Sequence, residues 1–143
     1  MIESISKLTE DIVKLLRDDP VRPEIPADQR VNENSRIYLL RRNDQTCAVT
    51  CVKFLDQVPS TVEDINRCIK TAHTAVFYTI WSYVPGSAGD LIRDARQNIQ
   101  HEFPSITTFV TLSPKTEMAR RFHLRNGADV YRENLDTINY IYK

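Results

Sequence analysis

Between Thr74 and Asn126 the sequence alternates strand, helix, strand, helix, and that order limits what the chain can fold into. Thr74 to Val84 is an uninterrupted apolar and aromatic run of the kind found at the centre of a sheet. Asp90 to Glu102 reads as a helix and Ile106 to Leu112 as a second strand, which Ser113-Pro114 is expected to end because proline cannot continue a ladder. From Thr116 to Asn126 the apolar residues Met118, Ala119, Phe122 and Leu124 recur mainly at helical spacing, and Asn126-Gly127 is a helix stop. The two strands are expected to be parallel neighbours splayed at their C-terminal ends. Ligands bind at such ends, so Gly86 and Ser113 should both border a cleft.

The flanking segments complete a mixed sheet. Ser4 is expected to cap an amphipathic helix with Ile5, Leu8, Ile12, Leu15 and Leu16 on one face, ending before Pro20 and packing on the sheet. Pro20, Pro23 and Pro26 mark an extended connector. Arg36 to Arg42 and Thr46 to Leu55 read as a hairpin about the turn Asn43-Asp44. Pro59-Ser60 opens a short helical stretch containing Val62, Ile65 and Ile69, and Ala128 to Arg132 with Thr137 to Tyr142 alternates as a terminal hairpin. The order ββαβαβαββ, opened by a helix, predicts an α/β (α+β) protein with a central twisted mixed sheet flanked by helices. With 143 residues and no repeats, one domain is expected, residues 1–35 forming the N-terminal helix and connector and residues 36–143 the core.

Charge and cysteine usage exclude several classes of partner. Lys plus Arg and Asp plus Glu both number 19, so no bulk electrostatic case exists for nucleic acid or an acidic membrane. No segment approaches the roughly eighteen apolar residues that span a bilayer, and MIESISKLTED is too acidic and polar for a signal peptide, which predicts a cytoplasmic protein. Three cysteines fit reduced thiols. Cys47 and Cys51 share strand parity but would stand about 13 Å apart, too far for a disulfide or a shared metal, so no metal site is expected. Arg120, Arg121 and Arg125 cluster locally and read either as a phosphate-binding patch or as a solvated helix face.

Ser113 and His123 are the candidate catalytic groups. A serine at a strand end can donate a hydrogen bond to a developing oxyanion, and a histidine on the following helix can act as a general acid or base near neutral pH. Each also has an ordinary reading, since serine before proline is a common turn residue and a lone helical histidine is usually a satisfied side chain.

The words around them narrow the choice. Thr74 to Ile80 (TAVFYTI) is similar to TAIFYSI, Leu91-Ile92-Arg93 to LIK, Glu102 to Pro114 (EFPSITTFVTLSP) to a strand ending in TLSP, and Phe122 to Ala128 (FHLRNGA) to FHLxNGA. In this order the segments resemble the C-terminal domain of malonyl-CoA decarboxylases, members of the GNAT acyltransferase superfamily, over roughly residues 36 to 143. The resemblance implies a GNAT-like fold, a coenzyme A thioester as substrate, and Ser113 with His123 as the catalytic pair. His123 also coincides with the place where many GNAT acyltransferases carry a tyrosine general acid. The long segment that separates the two motifs in the decarboxylases is reduced here to Lys115 through Arg121. The resemblance implies a homo-oligomer only as an open alternative.

Two of the three glycines, Gly86 and Gly89, lie in PGSAGDLIR between the central strand and a helix. Gly86, Ser87, Ala88 and Gly89 are expected to let backbone N–H groups approach a phosphate at the helix N-terminus. Gly86-Ser87-Ala88 satisfies the second half of the GNAT pyrophosphate loop, whereas Tyr83 stands where that loop carries Gln or Arg, and Asp90 adds a negative charge beside it. Pantetheine is expected along Trp81 and Tyr83, with backbone amides of Ile80, Trp81 and Ser82 holding the acyl carbonyl. Three functions follow: decarboxylation of a malonyl thioester by the Ser/His pair, acyl transfer from acetyl-CoA to an amine or other small acceptor, and a non-catalytic binding or regulatory module.

Overall fold

The computed structural model describes residues 1–66 and 71–143. Its strands are β1 (Ile2–Ile5), β2 (Ser35–Arg42), β3 (Gln45–Leu55), β4 (Thr74–Ser82), β5 (Thr108–Thr111), β6 (Ser113–Pro114), β7 (Asp129–Glu133) and β8 (Thr137–Tyr142). The helices are α1 (Glu10–Leu16), α2 (Ser87–Glu102) and α3 (Glu117–Arg125), with 3-10 turns at Ala27–Gln29 and Glu63–Asn66. Ile69 and Cys68 fall outside the described residues.

Local chemistry explains the hairpin. Asn43 and Asp44 both take positive φ, 52° and 64°, in a two-residue turn whose twist suits the flanking strands. Arg42 therefore faces Gln45, and β2 and β3 pair antiparallel from there to Ser35 and Lys53. The sheet runs β1-β2-β3-β4-β5-β8-β6, with β7 also on β8. Among the described strands only β4 and β5 run parallel, in register from Thr74 with Thr108 to Phe77 with Thr111.

Beyond Phe77 and Thr111 these two strands part. The register against β3 steps between Cys51 opposite Thr79 and Val52 opposite Phe77, which leaves Tyr78 as an extra residue in β4. Such a bulge bends its strand and increases the twist. It lies at the level where β4 leaves β5, and Thr50 Oγ1 donates to the Thr79 carbonyl at 2.8 Å to hold the bulged backbone. On the other side, Asn139 Nδ2 donates to Thr111 O (2.8 Å) and the Tyr140 N–H donates to Thr111 Oγ1 (3.1 Å). Side chains thus stand in for ladder bonds while Leu112 N–H turns to Phe77 O at 3.1 Å.

Two expectations are corrected. Ser4 does not cap a helix: it lies in β1 opposite Tyr38, and Thr9 caps α1 by accepting from the Ile12 N–H at 3.3 Å. Ile2 to Ile5 is too short for periodicity to separate strand from helix, and the free edge of β2 decides it. The order thus opens with a strand and then a helix. Nor does Ser113-Pro114 end the pairing, because Ser113 faces Ile138 and Pro114 faces Thr137 in the register already set by Phe109 with Tyr142. Pro114 is accommodated because β6 is the last strand in the order, where a missing N–H leaves no ladder bond unmade.

The sheet buries both faces. On one, Leu91, Ile92, Ala95 and Ile99 of α2 pack against Tyr38, Phe77, Phe109 and Tyr140. On the other, Ile12 and Leu16 of α1 and Ile25 of the connector cover Leu39, Val49, Val76 and Leu112, as expected for a helix packed on the sheet. The connector is clamped by an ion pair that the sequence did not reveal. Arg30 Nη1 and Asp19 Oδ2 are 2.6 Å apart and buried. Asp19 Oδ1 accepts from Thr79 Oγ1 (2.7 Å) and from the amides of Val21 and Arg22, and Arg30 donates to the carbonyls of Arg22 and Ile25. The other valences of both charges are filled, the condition under which a buried pair is tolerated. Cys47 and Cys51 are buried free thiols. No helix among the described residues is long and apolar enough to cross a membrane.

Candidate functional site

Where β4 and β5 separate, a cleft of about 360 Å³ opens through the sheet. Phe77 to Ser82 of β4 form one wall and Leu112 to Pro114 the other. Met118, Ala119, Phe122 and His123 of α3, Pro20 and Val21 of the clamped connector and Ala88 of α2 complete the lining. The lining is mainly apolar and, among the described residues, holds no lysine, arginine or carboxylate.

Ser113 and His123 both line this cleft and both are buried, each 4% exposed. Ser113 is placed by β6 pairing with β8, and its Oγ donates to Thr111 Oγ1 at 2.7 Å. Thr111 Oγ1 also accepts the Tyr140 amide, so Ser113 is held to β8 through one intervening hydroxyl. His123 is placed by α3, which Thr116 caps through the Ala119 N–H and which ends at Asn126. Its ring stacks on Tyr140 at 5.0 Å and meets Phe122 edge-on, and its Nδ1 lies 2.7 Å from the Tyr142 hydroxyl. Desolvation pulls the imidazole down to about 4 from 6.5, so His123 is uncharged at neutral pH. Burial thus disfavours the imidazolium in the unliganded cleft. The same burial raises the Tyr142 phenol, with Arg96 above its ring acting weakly against it.

The expected coenzyme residues divide. Ile80, Trp81, Ser82 and Ala88 line the cleft, whereas Tyr83, Gly86, Ser87 and Gly89 do not. Tyr83 is turned outward, its hydroxyl donating to Asp18 Oδ2 (2.7 Å) and accepting from Trp81 Nε1 (3.1 Å). The Ser87 hydroxyl is spent on the carbonyls of Val84 (2.6 Å) and Cys47 (2.9 Å). Gly86 takes φ +84° at the N-cap of α2, with nothing within 4 Å of where a Cβ would stand and no side chain capping the first turn. The N-terminus of α2 is thus open and uncapped. Gly89 serves packing instead, because a Cβ there would meet Asn126. Asp90 is less of an obstacle than its charge suggested, since Arg42 Nη2 stands 2.7 Å from its Oδ2. Arg121 pairs with Glu117 at 3.3 Å on an exposed face. Sequence reasoning missed Pro20, Val21 and Thr111: the first two look like linker, and Thr111 looks like any β-branched strand residue.

No protein-family model and no curated protein matches this chain. Solved structures do match in fold. The chain is similar to the malonyl-CoA decarboxylase from Rhodopseudomonas palustris at 20% identity and TM-score 0.76, over 99% of this chain and 59% of that one. The decarboxylase from Agrobacterium vitis is similar at 22% identity and TM-score 0.70, over 85% of this chain and 35% of that one. A GNAT family acetyltransferase from Elizabethkingia anophelis with acetyl-CoA bound is similar at 14% identity and TM-score 0.63, over 100% of this chain and 97% of that one. The chain thus spans between 35% and 59% of the length of these two decarboxylases. Its fold is GNAT-like, of the α+β class, with a mixed sheet flanked by helices.

Proposed function

We propose that the cleft binds an acyl-CoA and that Ser113 and His123 promote decarboxylation of a malonyl thioester. The observation that carries this reading is that both side chains line one apolar cleft at the opening between β4 and β5. Loss of carbon dioxide breaks the bond between the α-carbon and the carboxylate, sends the electron pair into the thioester carbonyl as an enolate, and is completed when the α-carbon takes a proton from a solvent water, which leaves as hydroxide. The protein's task is to donate hydrogen bonds to the enolate oxygen: an uncharged His123 can supply one, and Ser113 another once its proton turns away from Thr111, whose own hydroxyl proton can then bond Ser113 Oγ. A lining without cations suits a carboxylate that is to be lost, since an ion pair would stabilise the reactant. The phosphates would rest on the N-terminus of α2 at Gly86, with pantetheine passing Ile80, Trp81 and Ser82.

Acyl transfer from acetyl-CoA is the second reading. It is favoured by the full-length match to an acetyltransferase, set against the partial span of the decarboxylases. Titration with CoA, acetyl-CoA and malonyl-CoA, followed by assay for released carbon dioxide, tests both. Malonyl-CoA consumption without an acceptor supports decarboxylation. Acetyl-CoA consumption only when an amine is present replaces it with transfer, and no binding of any of the three leaves a non-catalytic module.

A further inference from the structure

The hydroxyl of Tyr142 and Nδ1 of His123 are 2.7 Å apart, and both residues are buried. Which atom holds the proton follows from what else each can reach. Among the described residues the Tyr142 hydroxyl meets no acceptor but Nδ1. Its ring is faced by the Arg96 guanidinium at 5.1 Å, which can only donate, and by the edge of the His123 ring at 5.9 Å. With the proton on Nδ1, the phenol O–H would be buried without an acceptor. With the phenol as donor, both atoms are satisfied, and the ring proton must sit on Nε2. Nε2 meets no protein partner among the described residues, so it is the nitrogen left for whatever occupies the cleft.

We propose that Tyr142 is a positioning residue that fixes His123 as the Nε2–H tautomer, making the imidazole a hydrogen-bond donor to the thioester oxygen of a bound acyl-CoA and not a base. The identity of the acceptor rests on the acyl-CoA reading of the cleft, whereas the tautomer does not. Desolvation supports the assignment, because it keeps the imidazole uncharged and leaves one ring proton to allocate. Arg96 above the Tyr142 ring strengthens the phenol as a donor. The consequence for reaction class is direct. An Nε2–H group stabilises an enolate but cannot take a proton from an attacking amine, so the same geometry favours decarboxylation over His123-assisted transfer.

The test is nitrogen NMR on the full chain labelled at its three histidines, with His123→Gln assigning the signal at neutral pH. The expected spectrum has a protonated Nε2 and an Nδ1 that accepts a hydrogen bond. A protonated Nδ1, or an averaged mixture of tautomers, overturns the proposal. In Tyr142→Phe the single tautomer should give way to a mixture, and kcat on malonyl-CoA should fall about tenfold or more with KM within about twofold. An unchanged tautomer in the folded variant would remove Tyr142 from the role. Should Tyr142→Phe fail to fold, the wild-type spectrum still decides. If the wild type consumes no malonyl-CoA, the reading of the cleft falls while the tautomer result stands.

Discussion

Gly89, in the first turn of α2, lies directly against Asn126, which ends α3: a Cβ on Gly89 would overlap Asn126 Oδ1 and stand 3.1 Å from its Cγ. The glycine-rich turn and the FHLRNGA segment are thereby locked together, and α3 brings His123 to the cleft. Asn126 cannot swing away freely, because its Nδ2 donates to the Phe122 carbonyl at 2.8 Å. Gly89→Ala should therefore destabilise the fold by about 1–3 kcal/mol through overpacking. Urea unfolding measures the loss, and adding Asn126→Ala should recover part of it. Gly86→Ala, which has open space but φ +84°, should cost about 1–2 kcal/mol and gain nothing from the same second change.

Turnover tests the two cleft side chains. Ser113→Ala and His123→Ala should each lower malonyl-CoA decarboxylation by about a hundredfold, the usual loss for one oxyanion donor. If the two act on one enolate oxygen, the double variant should be little worse than either single one. Additive losses in folded proteins would mean that they serve separate steps.

What the sequence disclosed followed from periodicity and punctuation. The apolar run from Thr74, the helical spacing after Thr116 and the Asn43-Asp44 turn are local signals, and the structure has β4, α3 and the hairpin there. That Ser113 and His123 would border one cleft was legible because one follows the apolar run of β5 and the other rides α3, although Ser113-Pro114 continues the pairing that the sequence was expected to end there. What stayed hidden depends on register between distant segments. Tyr142 reaches His123 across 19 residues and Asp19 reaches Thr79 across 60, and no window along the chain carries such a pairing. The bulge at Tyr78 is equally silent, since one extra residue in an all-apolar strand leaves no change of pattern.

The buried Asp19–Arg30 pair should be essential to the cleft's connector wall. Arg30→Met removes the guanidinium that bonds Asp19 Oδ2 and leaves that buried oxygen without a partner among the described residues, a loss of about 3–5 kcal/mol. Because the pair holds the segment carrying Pro20 and Val21, faster proteolysis within residues 17–30 should accompany the loss. A variant with unchanged stability would show that Thr79 and the backbone amides suffice for Asp19.

Asp90 and Arg42 make a prediction about coenzyme binding. Their pair lies on the surface at the start of α2, so its effect on stability should be small. Its effect on a phosphate at that helix end should be larger. Asp90→Asn removes a negative charge and frees Arg42, which should tighten CoA binding several-fold at low salt, with the gain shrinking as ionic strength rises. Equal CoA affinity for the wild type and Asp90→Asn by calorimetry would put the phosphates elsewhere.

The buried imidazole predicts a dependence of stability on pH. His123 falls to about 4 in the folded chain, against 6.5 for a free histidine, because burial disfavours its charged form. Between those values the unfolded chain binds a proton that the folded chain refuses, so stability must rise with pH across the interval. The contribution is complete above about pH 6.5 and is lost as the pH falls toward 4, where the folded ring also protonates. Its full size is up to about 3 kcal/mol. Unfolding free energies of wild type and His123→Gln between about pH 4 and 7 should therefore converge at the acid end, with the glutamine variant showing the shallower slope. Turnover should behave differently from an enzyme that relies on an imidazolium: if His123 works as an uncharged donor, kcat on malonyl-CoA should show no inflection near pH 6.5. A fall in kcat centred there, absent from a folded His123→Gln variant, would mean that the ring takes up a proton in the cleft and that substrate binding restores the charge that burial removes.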